Sequence, residues 1–193
     1  WIPESKRTTL ANSFVDVLAD LHSLDPDEIG LGDLGKRDSY VGRQLKTWYR
    51  SWTSSIKGAD FDDARAHALQ KFFLEKLPEQ EKARVVHGDY GLHNCLTGPD
   101  CTVAAVVDWE ISTLGDPLAD LAYALNFFPD PTDTIPISPE AATAVPGFPT
   151  RTEMAARYGA RTKRDLSNLD YYTAFNRWKS ACIVHGLYAR YMD

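Results

Sequence analysis

Asp89, Asn94 and Asp108 are the residues of this chain whose types and spacing could do chemistry. The apolar pair Val85-Val86 runs into His87-Gly88-Asp89, and Asn94 follows five positions after Asp89. A second apolar run, Val103 to Val107, ends in Asp108-Trp109-Glu110. A β-branched run that stops at an acid reads as a strand whose end carries that acid into a loop. Two carboxylates and an amide gathered at strand ends form a hard oxygen cluster, suited to magnesium and phosphate. The alternative is that these residues only cap turns, as strand-end Asp and Asn often do.

Protein kinases have the same order of parts. In them a catalytic-loop Asp precedes an Asn by five positions, and a later Asp after a hydrophobic strand holds magnesium. The local wording differs here: His87-Gly88-Asp89 in place of His-Arg-Asp, and Asp108-Trp109-Glu110 in place of Asp-Phe-Gly, followed by Gly115-Asp116-Pro117-Leu118-Ala119-Asp120. In this form the stretch from Val85 to Leu125 resembles the aminoglycoside phosphotransferase family, the small-molecule branch of the kinase-like fold. The pattern is also similar to the phosphotransferase domains associated with acyl-CoA dehydrogenases. The resemblance is dense over 85–125 and looser elsewhere.

That resemblance implies transfer of the terminal phosphoryl of ATP, or another nucleoside triphosphate, to a hydroxyl of a small molecule, with Mg2+ as cofactor. Asp89 then accepts or orients the proton of the substrate hydroxyl, a general-base contribution of about 10²–10⁴-fold. Asn94 and Asp108 hold the metal and, through it, the nucleotide; Asn94 does so without adding charge. Asp89, Trp109 and Glu110 are candidates to touch substrate, with backbone hydrogen bonding as the alternative for Glu110. His87 is read as a hydrogen-bond donor that fixes the loop, a metal role being the alternative. Asp116 reads as the N-cap of a helix with Pro117 at its first position, and Asp120, one turn on, as a brace for the catalytic loop. One departure is His93, where close relatives often carry an acid.

The elements that must position these residues read as helices around one small β element. Leu10, Phe14, Val17, Leu18, Leu21 and Leu24 have helical spacing over 10–24, and Asp25-Pro26 stops that helix. His22 falls in its last turn, where a cation suits the helix dipole. Gly30 to Gly35 spell G-x-G-x-x-G, but between helices, so the stretch is a connection and no nucleotide loop. Residues 39–57 align Val41, Leu45, Trp48, Trp52 and Ile56 on one face, either as core or, for Trp48 and Trp52, as a pocket wall. A third helix spans 62–77. Gly98-Pro99-Asp100 turns a hairpin between Cys95–Thr97 and 102–107. A helix from Pro117 to Asn126 follows. Residues 129–149, with six of the eleven prolines, form a surface loop. Thr150 and Glu153 spell a capping box, and Ser167-x-x-Asp170 starts a long last helix.

The expected fold class is α+β and mainly helical: residues 1–193 as a single domain, the C-terminal catalytic and substrate lobe of a kinase-like fold, with a small β hairpin at the catalytic loop. A kinase-like enzyme needs a strand-rich nucleotide lobe ahead of its catalytic loop. The 84 residues before Val85 read as helices, so that lobe is expected to lie outside this chain, and the chain alone is expected to be incomplete as a catalyst.

The formal charge of −6 argues against a nucleic-acid partner. The sequence holds no run of 18 apolar residues, and no membrane partner is expected. Cys95, Cys101 and Cys182 make an odd count without CxxC spacing, which suits a reducing cytoplasm and argues against a disulfide framework or a zinc site. Two rival functions remain on sequence grounds: a catalytically inert kinase-like binding module, and a metal-dependent phosphoester hydrolase. The acceptor, ATP against GTP, and the oligomeric state are not legible in the sequence.

Overall fold

The computed structural model describes residues 2–133 and 142–192. Among the described residues six α-helices surround two short antiparallel strand pairs. Helices α1 (Glu4–Ser23), α2 (Tyr40–Ala59) and α3 (Ala64–Glu75) precede the strands. Strands β1 (Arg84–Val86), β2 (Cys95–Thr97), β3 (Val103–Val106) and β4 (Thr113–Gly115) follow, and then helices α4 (Pro117–Leu125), α5 (Arg151–Thr162) and α6 (Leu169–Met192).

Helix α1 begins six residues before its apolar stripe does. Its first turns, Glu4 to Thr9, are polar and give no periodicity to read. Leu10, Ala11, Phe14, Val15 and Leu18 then bury one face. Helix α2 lays Val41, Leu45 and Trp52 against α6, and Trp48 packs half-buried at the edge of the same core. Helix α3 buries Phe73 and leaves Leu69 and Phe72 exposed. Pro26 and the turns over Gly30 to Gly35 connect α1 to α2, as the sequence suggested.

Helix α4 is the axis of the fold. Eight of its nine residues are buried, and Tyr123 is half-buried. A helix apolar on every side belongs in the interior. Asp116 starts it: its Oδ1 accepts from Leu118 N at 2.9 Å, Pro117 fills the first turn, and its Oδ2 accepts from the Tyr172 hydroxyl on α6 at 2.7 Å. Burial raises the Asp116 carboxyl, the phenol and amide donors opposing that shift.

The β structure is larger than the single expected hairpin. That hairpin is present, β2 against β3 with Cys95 opposite Val106. A second pair, β1 against β4, places Val85 opposite Leu114. Strand β4 is Thr-Leu-Gly, too short for any alternation to be read. Gly115 is needed there, since a Cβ would meet Val86 Cγ2 at 2.7 Å and the Tyr40 ring at 2.8 Å.

The proline-rich stretch begins in turns. Asp130 caps them, accepting from Thr132 and from Thr152 of α5. Pro136 and Pro139 lie outside the described residues. Thr150 and Glu153 close the expected capping box. No helix of the described residues is long and apolar enough to cross a membrane, and the three cysteines are free thiols.

Candidate active site

Strand β1 delivers the chain into the loop His87 to Asn94, and β3 delivers it into the loop Val107 to Ile111. The core valines Val85 and Val86 anchor the first loop. Gly88 turns it at φ +85, and a Cβ there would press on Ile111 O at 3.2 Å. The site therefore requires glycine at this position on two counts.

His87 ties the two loops together. Its Nε2 donates to Val107 O at 2.9 Å, while its Nδ1 accepts from Asp89 N at 3.3 Å. Both contacts require the neutral tautomer with the proton on Nε2. The Trp109 ring lies 4.8 Å from the His87 ring, and its Nε1 donates to Val106 O at 2.9 Å. Across the same junction Val107 N donates to Asn94 O at 2.9 Å. The residue before Asp108 is thus bonded directly to Asn94.

Asp120 holds the first loop from below. Its Oδ2 accepts from His87 N at 2.8 Å and its Oδ1 from Gly88 N at 2.9 Å. His22 Nε2 stands 3.3 Å from Oδ2, and His22 Nδ1 is 2.7 Å from the Tyr158 hydroxyl. Burial would raise the Asp120 carboxyl. The His22 ring and the two amides outweigh that and hold it below the usual carboxylate range. His22 is therefore not an exposed cation serving the α1 dipole. Its ring is fully buried, and both nitrogens are committed to side chains from α4 and α5.

Asp89 is half-buried at the loop's open side. Tyr123 of α4 donates its hydroxyl to Asp89 Oδ1. Asn94 Nδ2 donates to Asp89 O at 2.9 Å and reaches Oδ2 at 3.3 Å. His93 Nε2 stands 3.5 Å from Oδ2. With its amide nitrogen turned to Asp89, Asn94 keeps Oδ1 free of any donor among the described residues. Asp108 is exposed and takes a left-handed backbone, φ 67 and ψ 54, a conformation that Asp tolerates better than most residues. Its carboxylate makes no hydrogen bond among the described residues. Glu110 is exposed as well and joins none of these contacts.

The structure thus gathers Asp89, Asn94, His87, Trp109 and Asp120 into one bonded unit with the backbone next to Asp108, and sets Asp116 apart at the α4–α6 contact. Tyr123 was missed by sequence reasoning, although its place three residues after Asp120 puts it on the same face of α4. Lys179 was missed too. It falls within the buried stripe of α6, between Phe175 and Cys182, where a lysine is out of pattern.

This fold, with its paired loops, is that of the C-terminal lobe of a kinase-like fold. The chain belongs to the phosphotransferase enzyme family (APH), which it matches over residues 2–165. A crystal structure from Ralstonia eutropha, described as that of an aminoglycoside phosphotransferase, is similar at a TM-score of 0.81 and 30% identity, over 97% of this chain and 57% of that one. Choline kinase from Cryptosporidium parvum shares the fold at 13% identity and a TM-score of 0.59, over 97% of this chain and 64% of that one. Among curated proteins, acyl-CoA dehydrogenase family member 11 of Gallus gallus is 34% identical over 187 residues, 92% of this chain and 23% of that protein. Family member 10 of Mus musculus is 33% identical over 196 residues, 96% of this chain and 18% of that protein. The chain spans about a quarter or less of the length of the curated relatives it matches.

Proposed function

We propose that this chain carries the transfer site of a Mg2+-dependent enzyme that moves the terminal phosphoryl of ATP, or another nucleoside triphosphate, to a hydroxyl of a small molecule. The observation that carries the reading is the coupling of the Asp89 loop to the Asp108 loop through His87 and Val107, which joins the loops that bear the base candidate and the metal-ligand candidates.

Phosphoryl transfer is mostly positioning and electrostatics. The acceptor hydroxyl is oriented by Asp89, whose Oδ1 is fixed by Tyr123 and whose Oδ2 carries only the longer contacts to Asn94 and His93. The proton passes to Asp89 as the hydroxyl oxygen bonds to the terminal phosphorus. The bond from that phosphorus to the bridging oxygen breaks, and the nucleoside diphosphate leaves.

Two donors suit magnesium: Asn94 Oδ1 and the Asp108 carboxylate, both without a hydrogen-bond partner among the described residues, are hard oxygens of the kind it prefers. When bound, the metal neutralises charge on the phosphates. Trp109 and Glu110, both exposed beside Asp108, are the candidates for substrate contact.

The test is a panel of small alcohols incubated with the full-length protein, ATP and magnesium, with products followed by phosphorus NMR. A phosphate ester that depends on Asp89 is the expected product. Free phosphate alone would instead indicate a phosphoester hydrolase, and no nucleotide consumption an inert binding module.

A further inference from the structure

Three aromatic rings gather at Asp89, and the transfer step above uses only one of them. Tyr123 donates its hydroxyl to Oδ1. His93 Nε2 stands 3.5 Å from Oδ2. Phe127 bonds to neither oxygen but packs edge-on against both neighbours. Its ring centroid lies 6.0 Å from that of Tyr123 and 6.2 Å from that of His93, each at an interplanar angle of 82°, the arrangement aromatic pairs prefer. Phe127 therefore bridges the two rings that flank the carboxylate.

Its place is fixed by the backbone. Phe127 follows Asn126, the residue that ends α4. The Thr143 hydroxyl donates to the Phe127 carbonyl. The next residue, Phe128, is buried against Phe14 at a centroid distance of 5.8 Å. Phe128 thus supplies the core with its aromatic at this turn, and the Phe127 ring stays 45% exposed.

The His93 ring is placed by a missing side chain. Gly91 has extended backbone, φ −151 and ψ 163, a region open to any residue. A Cβ there would nevertheless meet the His93 ring, with Nδ1 at 2.6 Å. Glycine at this position leaves room for the ring to fold back over the loop, toward Asp89 and Phe127.

An enzyme that phosphorylates an alcohol has water as a competitor. Either oxygen can pass its proton to Asp89 and bond to the terminal phosphorus while the bond from that phosphorus to the bridging oxygen breaks. The alcohol yields a phosphate ester, and water yields inorganic phosphate. The difference between the two attackers is carbon. Aromatic surface gains when carbon rather than water covers it, and a site that expels water suppresses the hydrolytic side reaction.

We propose that Phe127, with His93 and Tyr123, forms an aromatic collar that makes the Asp89 site select an alcohol over water. Phe127 is its specificity-determining residue. The inference rests on the phosphotransferase reading above and adds to it a discrimination against hydrolysis that holds for whichever alcohol is accepted.

The test uses the full-length protein with ATP and magnesium, first in buffer alone and then with an alcohol that the panel above shows to be accepted. Phosphate ester and inorganic phosphate are counted in the same reaction by phosphorus NMR. Phe127→Ala is expected to raise the ratio of phosphate to ester tenfold or more, with nucleotide KM unchanged. Phe127→Tyr keeps the ring and should keep the wild-type ratio. Gly91→Ala, which the backbone accepts, should displace the His93 ring and move the ratio in the same direction as Phe127→Ala. A ratio unchanged in Phe127→Ala and Gly91→Ala, or raised as much by Phe127→Tyr as by Phe127→Ala, would overturn the collar and leave the phosphotransferase reading standing. An equal fall of both products in Phe127→Ala and Gly91→Ala would give the rings a structural role only and overturn it as well. Inorganic phosphate as the sole product of the wild type, whatever the alcohol, would reject that reading and this inference together.

Discussion

The Tyr123 hydroxyl donates to Asp89 Oδ1 from the one residue of α4 that is not fully buried. The most constrained helix of the fold thereby fixes the orientation of the carboxylate proposed to act as base. Burial and the Asp89 carboxylate together push the Tyr123 phenol well above its ordinary value, so it stays a donor at any working pH.

Tyr123→Phe should therefore lower kcat more than it raises KM. A hydrogen bond to a charged group contributes about 1.5–3 kcal/mol, so a loss on the order of tenfold or more in turnover is expected if much of it is felt in the transition state. Steady-state kinetics on an accepted alcohol measure this. A mutant with unchanged kcat would show that Asp89 needs no such support.

Asp89→Asn and Asp108→Ala should fail in different ways. The first should lose about 10²-fold or more in turnover, the size of a general-base contribution, while keeping nucleotide affinity. The second should weaken binding of the magnesium nucleotide itself, because its carboxylate is the charged donor left free at the loop. Nucleotide titrations of both variants separate the roles. Equal nucleotide affinity in Asp108→Ala and wild type would move the metal site elsewhere.

The candidate site was more legible in the sequence than the contacts that support it. Asp89, Asn94 and Asp108 lie in one local stretch, and their order survives any error in placing helices. Asp116 was readable as a cap because capping is local too. The buried ties were not: His22 meets Asp120 across 98 positions and Tyr158 across 136, and no periodicity connects residues so far apart. His22 therefore looked like a cation for a helix end. Strand β4 escaped because three residues carry no alternation, and nothing in the local pattern singled out Tyr123 on α4.

Removing the Asp120 carboxylate should damage fold and site together. Asp120→Ala leaves the amides of His87 and Gly88 without acceptors in a solvent-free interior and strands His22. Breaking a buried polar pair from one side costs about 3–5 kcal/mol. Urea unfolding should show a loss of that order, with activity reduced even where the variant is still folded. A change under about 1 kcal/mol, on the scale of an ordinary surface substitution, would mean that the loop does not rest on Asp120.

Alkaline pH should unfold this protein through its tyrosines. Burial, the first cause in each case, raises the phenols of Tyr40, Tyr90, Tyr123, Tyr158 and Tyr172 above the ordinary tyrosine value of about 10. Tyr123 and Tyr172 also face the carboxylates of Asp89 and Asp116, which further disfavours the phenolate. The unfolded chain releases these protons near pH 10, and the folded chain holds them to higher pH. The native state thus binds more protons there, so stability must fall as pH rises. The contribution is fully present below pH 10 and is lost progressively above it. Melting temperatures taken from pH 8 to 12 should be flat below about pH 10 and then drop, each drop accompanied by tyrosinate absorbance appearing with unfolding rather than before it. Tyr40→Phe, which removes no side-chain hydrogen bond among the described residues, should soften the decline without touching the active-site loops. Tyrosinate that forms in the intact fold near pH 10 would show that these phenols are far more open to water than their burial implies.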